Sequence, residues 1–295
     1  MTVVKSEPYI LNDNNKQGIE AEAFRLDFQH AFMTDMMDNQ LLPQHITMEL
    51  HSNPAPRICE IATGTGIWLK ELAKTLPAKA ELVGLDYDTT KFPAADKLPS
   101  NVKLGYGNAF EPFPEELRGS FDVVHLRLFV FAVKRGQSLP LLENLITLLR
   151  PGGWLVWVDV NPLIMNAEPP HKAHEKFKRC FYDFANKVDL SMEIPVAIPA
   201  YMQQAGLEDC DARFYSSETP FYGPKGGAEW RARQQYLAFI GIRQAIKGMY
   251  LMGGIEGVRT EGERDGLINE LQGIFTDGNT KFHMPTMRAC GRRPF

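Results

Sequence analysis

A doubly wound α/β fold, a mostly parallel sheet with helices on both faces, is predicted for this 295-residue chain by three observations. Short apolar runs alternate with amphipathic segments between residues 57 and 160, the rhythm of strand–crossover–strand units. The first run ends in a Gly-containing turn, Ala62-Thr63-Gly64-Thr65-Gly66, just before a helical pattern begins. The run Trp154-Leu155-Val156-Trp157-Val158-Asp159-Val160 is apolar almost throughout, as a strand covered on both faces must be.

The elements follow in order. Residues 1–50 hold no strand pattern, and 17–37 reads as a helix with Ala23, Leu26, His30 and Met33 near one face. Pro43 interrupts it, and Asn53-Pro54-Ala55-Pro56 is a stiff entry to the first strand. Strands are expected at 57–61, 81–85, 102–106, 121–126 and 154–160. Residues 139–149 read as a helix that stops at Arg150-Pro151-Gly152-Gly153. Past Asn161 the regularity loosens. Helices are expected at 171–188 (carrying Phe177, Phe181 and Phe184), 198–205, 229–250 and 265–275, with strands at 207–215 and 281–290 closing a seven-stranded sheet. Gly and Pro at 220–227 and 253–257 mark loops. The expected organisation is a helical cap (1–50), a ligand-binding core (51–160), and a lid with the closing strands of the same sheet (161–295).

Composition narrows the function. The formal net charge of −4 gives no electrostatic footprint for nucleic acid. Cys59, Cys180, Cys210 and Cys290 are too scattered for a disulfide framework or a zinc cluster. No apolar signal core opens the chain, and no run reaches the roughly 18 apolar residues of a membrane span. A cytoplasmic protein without nucleic-acid or membrane partners is expected; a homodimer is left open.

The Gly turn, followed about 20 residues later by Asp86, is the first half of a nucleotide-binding unit. Two residues depart from the dinucleotide pattern. Leu69 stands where the third small residue belongs, and Glu60 adds a carboxylate at the end of the first strand. A pyrophosphate would want only helix N–H groups there. A phosphate-free ligand with an ammonium and a sulfonium would want the carboxylate, and S-adenosylmethionine (SAM) is such a ligand.

Glu60-Ile61-Ala62-Thr63-Gly64-Thr65-Gly66 resembles the E/D-x-G-x-G-x-G loop of class I SAM-dependent methyltransferases, with Ala62 at the first Gly position. Asp86, Gly107-Asn108-Ala109-Phe110, Phe121-Asp122-Val123-Val124-His125-Leu126-Arg127 and Leu149-Arg150-Pro151-Gly152-Gly153-Trp154 follow in the order that family shows. Glu22-x-x-Arg25-Leu26-x-x-Gln29-His30, Gly64-Thr65-Gly66-Ile67-Trp68 and His125-Leu126-Arg127 are similar to its fungal secondary-metabolism branch, which includes regulator-type members. The resemblance implies a Rossmann-like sheet, SAM as methyl donor with S-adenosylhomocysteine (SAH) as product, and no metal. It further implies that Ala62, Thr63, Gly64 and Gly66 let the backbone approach the methionine part while Glu60 takes the amino group directly or through water. Asp86 would accept the ribose hydroxyls, Tyr87 lie near the adenine, Asn108 and Ala109 meet its edge, and Phe110 pack on it. Many relatives carry Asp at the Asn108 position. Leu126 and Arg127 would line the pocket floor and Arg25 reach the cofactor carboxylate, with a pair to Glu22 as the competing reading.

The candidate bases are His125, His171 and His174, the last two on the lid. Lid aromatics and methionines, among them Phe177, Phe181, Tyr182, Phe221, Tyr222, Trp230, Tyr236 and Phe239, point to a small apolar substrate methylated on O, N or S. The competing functions are a methyltransferase-like regulator working through protein partners and a SAM-binding enzyme of a non-methylating rearrangement. A NAD-dependent dehydrogenase comes last, because of Leu69 and Glu60.

Overall fold

The computed structural model describes residues 16–160, 164–216, 228–276 and 279–295, with side chains from residue 21 onward. Phe221, Tyr222 and the loop expected at 220–227 lie outside the described residues.

Seven strands form one sheet: β1 (Arg57–Ile61), β2 (Glu81–Asp86), β3 (Val102–Tyr106), β4 (Phe121–Arg127), β5 (Leu149–Val160), β7 (Glu208–Tyr215) and β9 (Thr286–Arg292). Their spatial order is β3-β2-β1-β4-β5-β9-β7. β9 alone runs antiparallel, to both β5 and β7. The order reverses between β1 and β4, and such a switch point opens a crevice at the carboxyl ends of the strands.

Successive strand residues feed opposite layers. Val123 of β4 packs toward α1 (Lys16–Met36), α2 (Gln44–Ser52) and α3 (Ile67–Ala73), in one core with Phe32, Ile46 and Trp68. Val124 packs toward α4 (Ser138–Ile146) and α6 (Ile198–Gln204), with Leu141, Leu145, Ile198 and Met202. A third core belongs to the lid, where α5 (Lys172–Lys187), α7 (Ala228–Leu251) and α8 (Glu261–Thr276) bury Phe181, Phe184, Ile246 and Leu271.

Three expectations are corrected. The strand expected at 281–290 is two strands: β8 (Lys281–His283) pairs with β6 (Asn166–Glu168) in a separate ribbon, and only β9 joins the sheet. Pro285 stands between them and has no N–H to give a ladder. The helix expected at 139–149 ends at Ile146, and Pro151-Gly152-Gly153 lies inside β5 rather than in a turn. There Gly152 N–H donates to Arg293 O (2.9 Å) and Arg293 N–H to Gly153 O (2.8 Å). Pairing jumps from Phe121↔Leu149 to Val123↔Trp154, so this segment bulges out of the ladder. Finally, α2 is a helix where only a break was read; Ile46 and Leu50, four apart, are its buried face.

Candidate functional site

β1 delivers the chain into a loop with alternating left-handed residues: Ala62 at φ 56°, Gly64 at 57° and Gly66 at 68°. This conformation is easy for glycine and costs a β-carbon residue about 1–2 kcal/mol, so Ala62 is held there by its surroundings. Thr63 N–H donates to Leu85 O of β2 (3.2 Å), and the Thr63 hydroxyl donates to Glu60 Oε2 (2.6 Å). Gly84 of β2 must be small, because a β-carbon would meet Leu104 at 2.6 Å and Thr63 Oγ1 at 2.7 Å.

Across the loop, Asp86 closes β2. Its Oδ2 accepts from Gly64 N–H (2.7 Å) and its Oδ1 from Asp88 N–H (2.9 Å). Burial raises the pKa of Asp86, and these two N–H bonds pull it back. Each carboxylate oxygen keeps lone-pair capacity for a further donor.

Below the loop lies a buried charged row. Glu60 is fully buried, and its Oε1 has no hydrogen bond. Arg127 Nε stands 3.6 Å from that oxygen, in ionic contact but beyond hydrogen-bond reach, and His125 Nδ1 lies at the same distance. The His125 ring stacks on Trp68 with centroids 3.8 Å apart. Arg127 Nη1 donates to His30 Nδ1 (2.9 Å), which fixes His30 as an acceptor and therefore neutral. Burial first, then the Arg127 charge, lowers the pKa of His30 to about 3. Burial likewise lowers His125 and Arg127, with Glu60 opposing in both.

Helix α1 lies over the loop. Leu26 would be 3.2 Å from a β-carbon on Gly64, and Thr65 Oγ1 donates to Asp27 Oδ1 (2.6 Å). Arg25 is committed elsewhere: it holds Glu22 bidentately (2.8 and 2.7 Å) and donates to Gln29 (3.1 Å). Glu22 also accepts from Gln244 of α7 (2.7 Å).

On the far side, Gly107-Asn108-Ala109-Phe110 follows β3. Asn108 Oδ1 accepts from Phe110 N–H (3.1 Å) and its amide donates to Glu111 (3.0 Å), while Ala109 is buried. Tyr87, Tyr106 and Phe110 are 50, 60 and 40% exposed, a large apolar surface at the ends of β2 and β3. Phe110 stacks on Phe129 with centroids 5.7 Å apart. Leu126 is fully buried at the end of β4.

The structure thus brings Glu60, Ala62, Thr63, Gly64, Gly66, Asp86, Leu126, Arg127 and His125 together around one loop, with Tyr87, Asn108, Ala109 and Phe110 on its flank. The two lid histidines are elsewhere. His171 meets Thr280 Oγ1 (3.0 Å). His174 is fully buried near Phe177 and Phe282, and burial lowers its pKa to about 4. Sequence reasoning passed over two residues at the site. Asp27 binds Thr65, and Asp159 of β5 takes hydrogen bonds from the turn after β4. The signal for Asp159 was present: one acid inside an otherwise apolar strand.

Two carboxylates, Glu60 and Asp86, thus flank a loop with two left-handed glycines at the switch point of the sheet. Comparison with known proteins shows the family. Residues 35–211 match the model of a methyltransferase domain family. The chain is similar to methyltransferase grgD of a Penicillium species, at 36% identity over 90% of this chain and 92% of that protein. It is also similar to N-methyltransferase tcpN of Claviceps purpurea, at 30% identity over 68% and 70%. Among solved structures, a Haemonchus contortus phosphoethanolamine N-methyltransferase 2 in complex with SAM shares the fold at a TM-score of 0.51 and 13% identity. That alignment covers 99% of this chain and 61% of the other.

Proposed function

This chain belongs to the methyltransferase family and is a SAM-dependent methyltransferase, and from that premise we propose that it methylates an amine or thiol of a small, largely apolar secondary metabolite. The observation that carries the cofactor placement is Glu60 Oε1, a fully buried carboxylate oxygen without a hydrogen bond beneath a loop of small residues. An ammonium group is its natural partner. The two glycines keep the loop packed under α1 and against β3, since β-carbons at Gly64 and Gly66 would press within 3.2 Å of Leu26 and 3.1 Å of Leu104.

On this reading Glu60 and residues 62–66 hold the methionine end, and Asp86 accepts from the ribose with the lone pairs that Gly64 and Asp88 leave. Tyr87, Asn108, Ala109 and Phe110 border the adenine; Leu126 and Arg127 form the floor. Arg25 acts at one remove, because its guanidinium is spent on Glu22 and Gln29. SAM, when bound, supplies an electrophilic methyl on a sulfonium, so the hard chemistry is the cofactor's. The chain's own share is to orient both partners and exclude water.

The apolar character of the acceptor is read from the lid's content of aromatic and methionine residues; Phe177 and Phe181 themselves are taken up in the lid core. The acceptor atom follows from basicity. His30 and His125 are the histidines nearest the loop, and burial makes both poor bases. A free amine or a thiolate needs no protein base, whereas a hydroxyl benefits from one. We read the transfer as metal-independent.

Calorimetric titration with SAM, SAH and NADH tests the cofactor, with micromolar binding expected for the first two. Asp86→Ala should weaken it on the order of 100-fold, the worth of one or two hydrogen bonds to a charged group. Methyl transfer from labelled SAM to panels of amines, thiols and phenols, with and without EDTA, tests the rest. A folded sample that binds neither SAM nor SAH would sink the placement; methylation of phenols alone would remove the acceptor assignment.

A further inference from the structure

Asp159 is fully buried near the end of β5, in a strand otherwise apolar from Trp154 to Val160. Its Oδ2 accepts from the N–H groups of Phe129 (2.8 Å) and Val130 (2.9 Å) and from Trp157 Nε1 (2.9 Å). Its Oδ1 accepts from Val160 N–H (2.9 Å). Among the described residues no guanidinium or ammonium pairs with it. A buried carboxylate without a counter-ion is costly, and only a full set of donors offsets the cost. Three of its four donors are backbone N–H groups, and two of those belong to the turn after β4.

That turn is strained and carries two aromatic rings. Leu128 sits at φ 53°, a left-handed conformation for a residue with a branched side chain, and its N–H donates to Val158 O (2.9 Å). Phe129 then stacks on Phe110, and two residues on Phe131 meets Phe181 of the lid helix α5 edge-on. The carboxylate grips the backbone between these rings.

We infer that Asp159 is a positioning residue: it fixes the turn after β4 so that Phe129 closes the adenine side of the cofactor pocket while Phe131 seats the lid. The inference rests on the cofactor placement given above. Methyl transfer itself makes no demand on Asp159, which lies under the turn; its role is to aim other side chains. Its reach to both rings gives one buried group influence over cofactor affinity and over the wall against which the substrate lies.

The test uses SAH and the full chain. In wild type, the Trp157 indole N–H resonance, identified by its loss in Trp157→Phe, should move on SAH addition, because it shares its acceptor oxygen with the turn. Asp159→Asn keeps the shape but replaces an acceptor by a donor, and should weaken SAH binding about tenfold. Phe129→Ala should weaken it similarly, and the double variant no further than either alone. If Asp159→Asn does not fold, Leu128→Gly replaces it in the cycle: it frees the turn at its strained residue and leaves the carboxylate intact. A stationary Trp157 resonance with SAH bound, or losses that add in the double variant, would overturn the inference alone. Absence of SAH binding by wild type would overturn the cofactor placement and this inference with it.

Discussion

The cofactor half and the lid handle buried polar groups in opposite ways. In the lid, polar side chains mostly serve the backbone: Gln235 donates to Thr280 O, Gln234 to Phe282 O, and Lys187 to the carbonyls of Gly253 and Gly254. His174, with both ring nitrogens unpartnered, and Gln244, with an unpartnered Oε1, are exceptions. Around the glycine loop, charged groups face one another, and Glu60 Oε1 stays unsatisfied at 3.6 Å from both His125 and Arg127. Polar groups that satisfy backbone hold a shape; polar groups held together short of satisfaction keep binding capacity for a ligand. What separates scaffold from site is the charge of the unsatisfied group: a carboxylate oxygen at the loop, neutral atoms in the lid.

The sharpest way to break that separation is to damage the lid alone. Phe184 is fully buried in the lid core; Phe184→Ala should cost about 3–5 kcal/mol in urea unfolding, while SAH affinity in the folded fraction stays within about twofold. A parallel loss of SAH binding would show the two regions to be one unit. The mirror experiment is Gly153→Ala, at the bulge between β4 and β5. Its β-carbon would meet Phe121 O at 2.8 Å and Arg150 O at 3.0 Å, both backbone atoms that cannot step aside. About 3 kcal/mol of destabilisation is expected, and an unchanged unfolding midpoint would count against the bulge as drawn.

Acid should strain both halves alike. His30 and His174 titrate at 6.5 in the unfolded chain, and burial lowers them to about 3 and about 4 in the fold. The unfolded state therefore binds these protons first, so their contribution is complete above pH 6.5 and is lost as the pH falls toward 4 and then 3. One pKa unit is about 1.4 kcal/mol, so each histidine should cost about 2 kcal/mol of stability at pH 5 relative to neutrality. His174→Leu should remove one of those two losses, read from denaturant midpoints at pH 7 and pH 5. A variant with the full wild-type acid sensitivity would contradict a neutral buried His174. The smallest effect is expected at Ala62. Relief of its left-handed strain in Ala62→Gly is offset by glycine's extra chain entropy, so stability should change by less than about 1 kcal/mol and SAH affinity hardly at all.

The same contrast decides what the sequence reveals. Strands β1 to β4 are legible nearly to the residue because each is a short run rich in apolar residues, the first leading into the Gly64 and Gly66 turn and the second ending at Asp86. The lid helices are legible as helices, but their amphipathic pattern says nothing of which neighbour each one meets. The placement of His174 in the lid core was therefore out of reach. Arg25 shows another limit: a helix pattern puts Glu22 and Gln29 within range but cannot tell that they engage all three guanidinium nitrogens of Arg25. Pro285 was a legible break overlooked in favour of the apolar residues on either side. Asp159 stood in plain view, yet its meaning depends on N–H groups brought from a different strand.

The position of β9 has a consequence for synthesis. β7 has no strand to pair with until Thr286–Arg292 has been made, since β9 lies between it and β5. A nascent chain that has emerged only as far as the lid therefore carries β7 unpaired and one edge of β5 open, the kind of exposed ladder that recruits other chains. Completion of the sheet waits on β9, and a ribosome stalled before it leaves a cofactor loop already encoded on a sheet that cannot yet close.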